Sequence, residues 1–526
     1  MAILSAEQFT FLTLTLGDVP VLLFFLGASW VVCQLLLVIY NLSPLHPLSH
    51  IPGPLLARAT YLPEIYYDII NYGQYTKRIK QMHAKYGPII RINPNEVHCS
   101  DVSFIDEIYT APNRKRDKGE LVASGMLPVS GGLSTVDHNL HRARQTPVMK
   151  FFSRGMITRL EDEVHEMTQA FCNKLLRFTD EPIDLSVPYT CLGSDIICSY
   201  CFGETFGFID QEGWEPNFHH AELSTLRPTH LFRLFPYLKK LAPFGDRLIN
   251  YLPADIALLI RTYNIDIPNH IKKIKADMDA GTLRDRPTIF RTLLELKPEQ
   301  KRVVDLHDEA ITLLGAGTET VSWALAVITF HILNSNERCI LEKLTAELNQ
   351  VVKDPRSLPR WNELEKLPYL QAVIKEGLRL SYGIAGRSAR VPKQENLFYR
   401  GEWQGKPVEY VIPQGYAIGT SNALTHHDES IFPDSHSFIP ERWMDVKEGQ
   451  SPERGFMAFS RGSRACVGKN LAYCELNVVL SALVLRVMPR MRLFETTAED
   501  VAYAYDMVIP MPRADSKGVR VVISPT

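Results

Sequence analysis

The chain has 526 residues, 45% of them hydrophobic, and a formal net charge of -2 at pH 7. This length exceeds one typical domain and supplies material for a large core, while so even a charge balance excludes a nucleic-acid partner held by bulk positive charge. Nine cysteines, an odd number scattered without a paired framework, exclude a disulfide scaffold and point to reduced thiols on the cytosolic side.

Val19 to Tyr40 carries no charge, and about 20 helical residues suffice to cross a ~30 Å hydrocarbon core. A cleaved signal peptide fits poorly, because no basic segment precedes the run and the run is too long. Glu7 and Asp18 precede it while Arg58 and Lys77 follow, which places the bulk of the protein in the cytosol. The chain thus divides into a tail (1–18), a transmembrane anchor (19–40), a proline-rich hinge (41–57) and one large domain (58–526). Prolines at the density of Ser43 to Pro54 predict a semi-rigid, extended connector.

Tyr86 to Cys99 alternates and is rich in β-branched residues, so it reads as a short hairpin. Leu121 to Thr135 holds Gly125, Gly131 and Gly132 among apolar residues and reads as a mobile, greasy loop. A helix opens at His138 and continues toward Phe151-Phe152; its His138, Arg142 and Arg144 make either a solvated basic face or an anion holder. Cys198 and Cys201 form a Cys-x-x-Cys pair, but no second pair completes a metal site. Between Phe202 and Leu252, apolar runs such as Leu231-Phe232, Leu234-Phe235 and Leu241 to Phe244 lie beside Lys239-Lys240. That composition suits a membrane interface or ordinary core packing, and either offers a way in for a lipophilic molecule.

His307 to Leu333 has helical periodicity, interrupted by Gly315-Ala316-Gly317-Thr318-Glu319-Thr320. Each mid-helix glycine costs about 1 kcal/mol against alanine, so packing or function must offset the loss. Thr320 can bond back to a carbonyl near Ala316 or offer its hydroxyl to a ligand, and Glu319 can relay protons. Trp361 to Leu380 is helical, with Glu376 and Arg379 on one face. Tyr382 to Pro392 begins a sheet region, with later strands at Glu409 to Ile412, Tyr416 to Gly419 and Val519 to Ile523. Phe438 to Trp443 places Arg442 in an aromatic and proline setting.

The stretch Phe459 to Gly468 sets Cys466 between two glycines, with an arginine two residues before it. A thiolate in such a loop can hold a haem iron, provided it stays deprotonated and shielded. Gly462 and Gly468 let backbone N–H groups approach the sulfur, Arg464 offers a fork suited to a propionate, and Phe459 covers the sulfur. Lys469 to Leu480 is helical, so its N-terminal dipole favours the thiolate.

In order, Ala-Gly-x-Glu-Thr, Glu-x-x-Arg, Pro-Glu-Arg-Trp and Phe-x-x-Gly-x-Arg-x-Cys-x-Gly resemble the motifs of the cytochrome P-450 superfamily, and the resemblance covers nearly everything after the anchor. Ile51-Pro52-Gly53-Pro54 is similar to the hinge of its membrane-bound members. The resemblance implies a mainly α fold with small β-sheets. It places haem b between the helix His307 to Leu333 and the loop of Cys466, the axial iron ligand, with Phe459, Gly462, Arg464, Gly468, Ala316 and Gly317 around it. His138, standing where the family has tryptophan, and Arg142 would reach a propionate; so would Arg390, with Arg387 the alternative. Thr320 and Glu319 would deliver protons, though Val321 stands where a hydroxyl residue is usual, with Ser322 one step later. Glu376, Arg379 and Arg442 would form a buried triad behind the cysteine loop. The greasy loop and the turn from Tyr503 to Val508 would touch substrate.

Further implied are NADPH-derived electrons from a separate reductase, cytochrome b5 as a second donor, and basic Lys469, Arg144 and Lys150 meeting the reductase. The location implied is the endoplasmic reticulum membrane, single-pass, with the domain in the cytosol. The reaction is insertion of one atom of O2 into a lipophilic small molecule, and Ser381-Tyr382-Gly383 resembles fungal enzymes that decorate terpenoids or polyketides. The same fold also serves isomerases, dehydratases and peroxide users. A non-catalytic haem sensor is the reading outside enzymes. The intact Glu319-Thr320 pair favours dioxygen activation, and the apolar loops favour an enzyme.

Overall fold

The computed structural model describes residues 19–110, 114–128, 130–240, 251–281, 288–335, 339–444 and 451–525. The tail 1–18, with Glu7 and Asp18, and the run Leu241 to Phe244 lie outside the described residues.

Apolar periodicity sets the helices. α1 (Val19–Leu42) stands apart: Leu23–Leu42 has a mean hydropathy of 2.2 and none of it is buried. A long helix that leaves leucine, valine and phenylalanine exposed is suited to hydrocarbon. α2 (Glu120–Gly125), α3 (His138–Met149), α4 (Arg154–Leu175), α5 (Ser186–Phe202), α6 (His219–Leu226) and α7 (Thr229–Leu234) follow in the first half. α8 (Leu306–Leu333) has a mean hydropathy of 1.5 but is 61% buried, which makes it the core helix rather than a second span. α9 (Pro368–Ser381) and α10 (Lys469–Arg486) complete the set that frames the site.

The main core joins α4, α5, α8, α9 and α10. α5 is buried at every position except Val187, the pattern of a helix enclosed on all sides. Where α5 crosses α8, glycines admit the close approach: a Cβ on Gly317 would lie 2.7 Å from Ile197, and one on Gly193 3.2 Å from the Thr318 carbonyl.

A second, smaller core lies under a five-stranded sheet ordered Ile89–Asn93, Glu96–Cys99, Ala417–Gly419, Arg390–Val391, Asp117–Lys118. Its first two strands form the expected antiparallel hairpin, Ile89 opposite Cys99. Ile183–Asp184, Arg520–Ile523 and Met491–Leu493 make a three-stranded sheet; hairpins Leu397–Trp403/Lys406–Ile412 and Tyr505–Met507/Ile509–Met511 add the rest.

Three local expectations change. The hinge is not an extended connector: it folds through turns onto the sheet, with Leu48 and Ile51 fully buried. Arg91 ties it down, donating to the Asn41 carbonyl at 3.0 Å and meeting His46 at 3.1 Å. A Cβ on Gly53 would lie 2.4 Å from the Arg91 carbonyl oxygen, so the glycine between the prolines is a packing requirement. The greasy loop contains α2 and a 3-10 turn at Gly132–Ser134, and α2 packs on α7 so closely that a Cβ on Gly125 would sit 3.0 Å from Thr229; its Val129 lies outside the described residues. The helix expected from Trp361 breaks before Pro368, because proline there donates no hydrogen bond and begins a new helix instead.

Candidate active site

The loop before α10 is shaped by Gly462, whose φ is +72° and where a Cβ would lie 2.5 Å from the Thr110 carbonyl oxygen. Only glycine fits there. The sequence reading gave Gly462 to the sulfur; the geometry gives it to this close backbone approach. Gly468 does face the thiol: its N–H and that of Lys469 point at Cys466 Sγ from the first turn of α10. The Cys466 N–H donates to the Phe459 carbonyl at 2.9 Å, and the Phe459 ring lies 5.3 Å from that of Tyr473 on α10. Burial pushes the thiol up from its ordinary value, against those two N–H groups and the charge of Lys469. Yet Cys466 is exposed by surface area. A side chain both desolvated and accessible lines an internal cleft rather than the outer surface.

Beside the loop stands a group of basic side chains, Lys118 and Arg390 buried and Arg464 and His141 half-buried. Arg464 donates to the carbonyls of Thr135 and Val136, both at 2.6 Å, while its Nε is buried with no partner among the described residues. Burial and the charge of Arg390 lower its pKa to about 10. Burial, then Arg390 and Arg464, bring Lys118 down to about 7, and burial with Arg464, Lys118 and Arg390 brings His141 to about 3. Asp117 is the nearest counter-charge, but it is engaged by the His138 N–H at 2.8 Å and by Lys393 at 2.6 Å. Cations packed together without anions call for an anionic ligand. Two carboxylates on a flat macrocycle would suit this donor set and the Cys466 thiol would suit its metal, so the residues present fit haem.

Of the two candidate arginines, Arg387 is taken up by Glu64 at 2.9 Å and by Asp68, which leaves Arg390, buried over the Tyr109 ring, for the cluster. His138 is buried, its Nδ1 3.3 Å from the Arg116 carbonyl. Arg142 is exposed and outside the cluster, whereas His141 is within it. Both stand one helical turn from His138; the four-residue spacing of the resemblance pointed to Arg142, while the fold brings His141 to the cluster. Arg144 is not a solvent residue: it donates to the Val303 carbonyl and to Thr135, both at 2.7 Å. Lys118 sits in a two-residue strand with no motif to mark it.

On α8, Ala316 is exposed and Thr320 half-buried, and the Thr320 hydroxyl donates to the Ala316 carbonyl at 2.9 Å. Gly317 instead meets Ile197 of α5, which assigns it to helix packing and not to the cofactor face. Glu319 also turns from the cleft: its Oε1 accepts from Thr190 of α5 at 2.9 Å and lies 3.2 Å from His219 Nδ1 of α6. Ser322 donates to the Thr318 carbonyl at 2.8 Å. A small apolar cluster joins Val122 and Met126 of the α2 segment to Ala389, with Leu133, Ala417 and Val508 against them. Val508 holds a positive φ of 77°, unusual for a β-branched residue, fixed by its N–H donating to Asp506 at 2.8 Å.

Behind the loop, Arg379 clasps Glu376 with Nε and Nη2 at 2.9 and 2.8 Å, Arg442 adds a bond to Glu376 at 3.1 Å, and both members of the first pair are fully buried. Burial alone would raise the Glu376 carboxyl, but Arg379 and Arg442 hold it below its usual value. Two further partners were not foreseen. Trp443 Nε1 donates to Glu376 at 2.9 Å, and His426 bridges the Arg379 carbonyl at 2.7 Å to the Met457 N–H at 2.8 Å, joining α9 to the cysteine loop. Trp443 follows Arg442 directly and could have been found; His426 stands in an unremarkable His-His pair.

The family model described as Cytochrome P450 matches residues 62–489. The chain is 40% identical over 448 residues to cytochrome P450 monooxygenase ppzE of Metarhizium majus, spanning 81% of this chain and 92% of that protein. It is 34% identical over 545 aligned positions to cytochrome P450 monooxygenase tpcC of Cochliobolus heterostrophus, spanning 100% of both. N-acetyltryptophan 6-hydroxylase ivoC of Emericella nidulans is 34% identical over 510 residues, with 93% of this chain and 96% of that protein covered.

Proposed function

The chain belongs to the cytochrome P450 family and is an oxygen-incorporating oxidoreductase, and from that premise we propose that it hydroxylates or epoxidises a lipophilic intermediate of secondary metabolism. What supports this is one constellation: Cys466 under two backbone donors, a group of basic side chains beside it, and Thr320 with Ala316 on α8. Haem b, when bound, supplies the redox chemistry that activates O2. Cys466 would hold its iron as a thiolate eased by the Gly468 and Lys469 N–H groups, and Arg464, Arg390, Lys118 and His141 would hold its two carboxylates. Thr320 releases its bond to Ala316 and passes a proton into the cleft, with Glu319 as the source. Val122, Met126, Leu133 and Val508 orient the substrate and exclude water.

Electrons come from NADPH through a separate membrane reductase, with cytochrome b5 as an alternative donor, docking where Lys469 and Lys150 are exposed. α1 anchors the protein once in the endoplasmic reticulum membrane with the domain in the cytosol. Exposed Leu45, Leu55, Leu56, Leu62 and Ile70, following α1, suit a membrane-facing rim. Terpenoids and polyketides are the substrate classes proposed. The hydroxylase of Emericella nidulans carries an aromatic substrate in its name, so aromatic metabolites belong in the test panel.

The test is microsomal protein co-expressed with a reductase, fed a panel of lipophilic metabolites and read by mass spectrometry. Expected are a reduced carbonyl complex with the red-shifted band of a thiolate ligand, NADPH-dependent gain of one oxygen, and loss of both in Cys466→Ala. A wild-type protein lacking the band, or turning over without NADPH, overturns the reading.

A further inference from the structure

Glu319 is held by two neighbours on its far side from the cleft. Thr190 Oγ1 donates to its Oε1 at 2.9 Å, and His219 Nδ1 lies 3.2 Å from the same oxygen. His219 is the first residue of α6; its backbone N–H donates to Asn217 at 2.8 Å, and its Nδ1 also lies 3.2 Å from Thr190 Oγ1, so the ring is held between Thr190 and Glu319. The side chain keeps 12% exposure, and among the described residues its other ring nitrogen meets no protein partner. The ring therefore touches solvent on one edge and the buried carboxylate on the other.

The surroundings favour a proton at this point. Buried Glu222, one turn further along α6, has its carboxyl pushed well above the ordinary value by burial and then by the charge of Glu319. Tyr263 is raised by burial, with Glu222 and Glu319 facing it. Its hydroxyl reaches α8 at Gly315, 3.8 Å from where a Cβ would stand, next to exposed Ala316. The charged and titratable groups around His219 are Glu319 on α8, Asp184 on the three-stranded sheet, Glu215 before the helix, Glu222 on α6, Tyr263 and the adjacent His220. Its burial opposes the charged form, and Glu319 outweighs that to raise its pKa above the usual histidine value.

We propose that His219 is the proton inlet of this protein: it takes a proton from water at its exposed nitrogen and hands one from Nδ1 to Glu319. The step balances without another reactant. The Nδ1–H bond breaks, an O–H bond forms on the Glu319 carboxylate, and the neutral acid, freed from its ion pair, turns toward Thr320. After the acid gives its proton to the cleft, the carboxylate returns to Thr190 and a reprotonated His219. His219 touches no substrate and is a positioning and relay residue; the inference rests on the monooxygenase reading above.

The test uses the full-length holoprotein with reductase and a substrate it turns over. His219→Gln should lower product formed per NADPH roughly tenfold, within the range of a lost general acid, and should remove the decline of coupling at high pH expected of wild type. A second readout needs no turnover. Because the folded pKa of His219 is raised, its contribution to stability is present below the unfolded value and lost as pH rises through the folded one, a limb in melting temperature that His219→Gln should flatten. Glu319→Gln, kept as a second variant should the first misfold, should move that limb to lower pH and abolish the extra effect of His219→Gln in the double variant. Unchanged coupling and an unchanged pH limb in these variants overturn the inlet. Wild type that forms no NADPH-dependent product sinks the monooxygenase reading instead.

Discussion

Glu376 is fully buried and accepts from five donors: Arg379 Nε and Nη2, Arg442 Nε, Trp443 Nε1 and the Ile439 N–H. Removing it leaves two guanidinium groups without an anion, a loss of about 3–5 kcal/mol for a buried pair. Glu376→Ala or Arg379→Ala is expected to purify without haem; either variant with a normal Soret band would refute that. His426 is spent as a neutral ring, one nitrogen donating and the other accepting. Burial, supported by the charge of Arg379, holds its pKa at about 3 instead of 6.5. The unfolded chain takes up a proton that the folded one refuses, so stability present above pH 6.5 is lost progressively toward 3. Melting temperature should fall across that window, and His426→Gln, weaker at neutral pH, should fall less steeply.

At the scale of elements, the two glycines that flank Ala316 have opposite tolerances. A Cβ on Gly317 meets Ile197 at 2.7 Å, whereas one on Gly315 finds Tyr263 at an ordinary 3.8 Å. Gly317→Ala should therefore destabilise by about 1–3 kcal/mol through overpacking between α5 and α8. Gly315→Ala should be neutral or gain up to about 1 kcal/mol of helix propensity. Denaturant melts of the two variants check the pair. The contrast also marks what sequence could tell. The helix around Thr320, the Glu376–Arg379 pair and the hairpin from Ile89 were legible, because period and spacing are local. The duty of Gly317 was not, because Ile197 is brought to it by the fold. Glu319 likewise meets Thr190 and His219 across separations of 129 and 100 residues. The resemblance points to Arg142, four residues after His138, and only the packing of Lys118, Arg390 and Arg464 brings His141 of the same turn into the cluster.

For the whole molecule, the anchor and the body meet at a defined seam. Removal of residues 1–39 spares the Asn41 carbonyl and His46 that hold Arg91, and the remaining domain should keep its haem spectrum. Removal through Ile51 takes Leu48 and Ile51 from the second core, each worth about 2–5 kcal/mol when truncated, and should yield little holoprotein; equal yields from both truncations would refute the seam. Proline content showed that the chain bends there but not what it lands on. Once α1 stands in a bilayer, that docked seam makes it a mast and not a tether. The body cannot swivel freely about its stem, so part of the rotational freedom that any encounter must give up is surrendered in advance. Meetings with another membrane-held protein then become a lateral search between molecules that already share an up and a down.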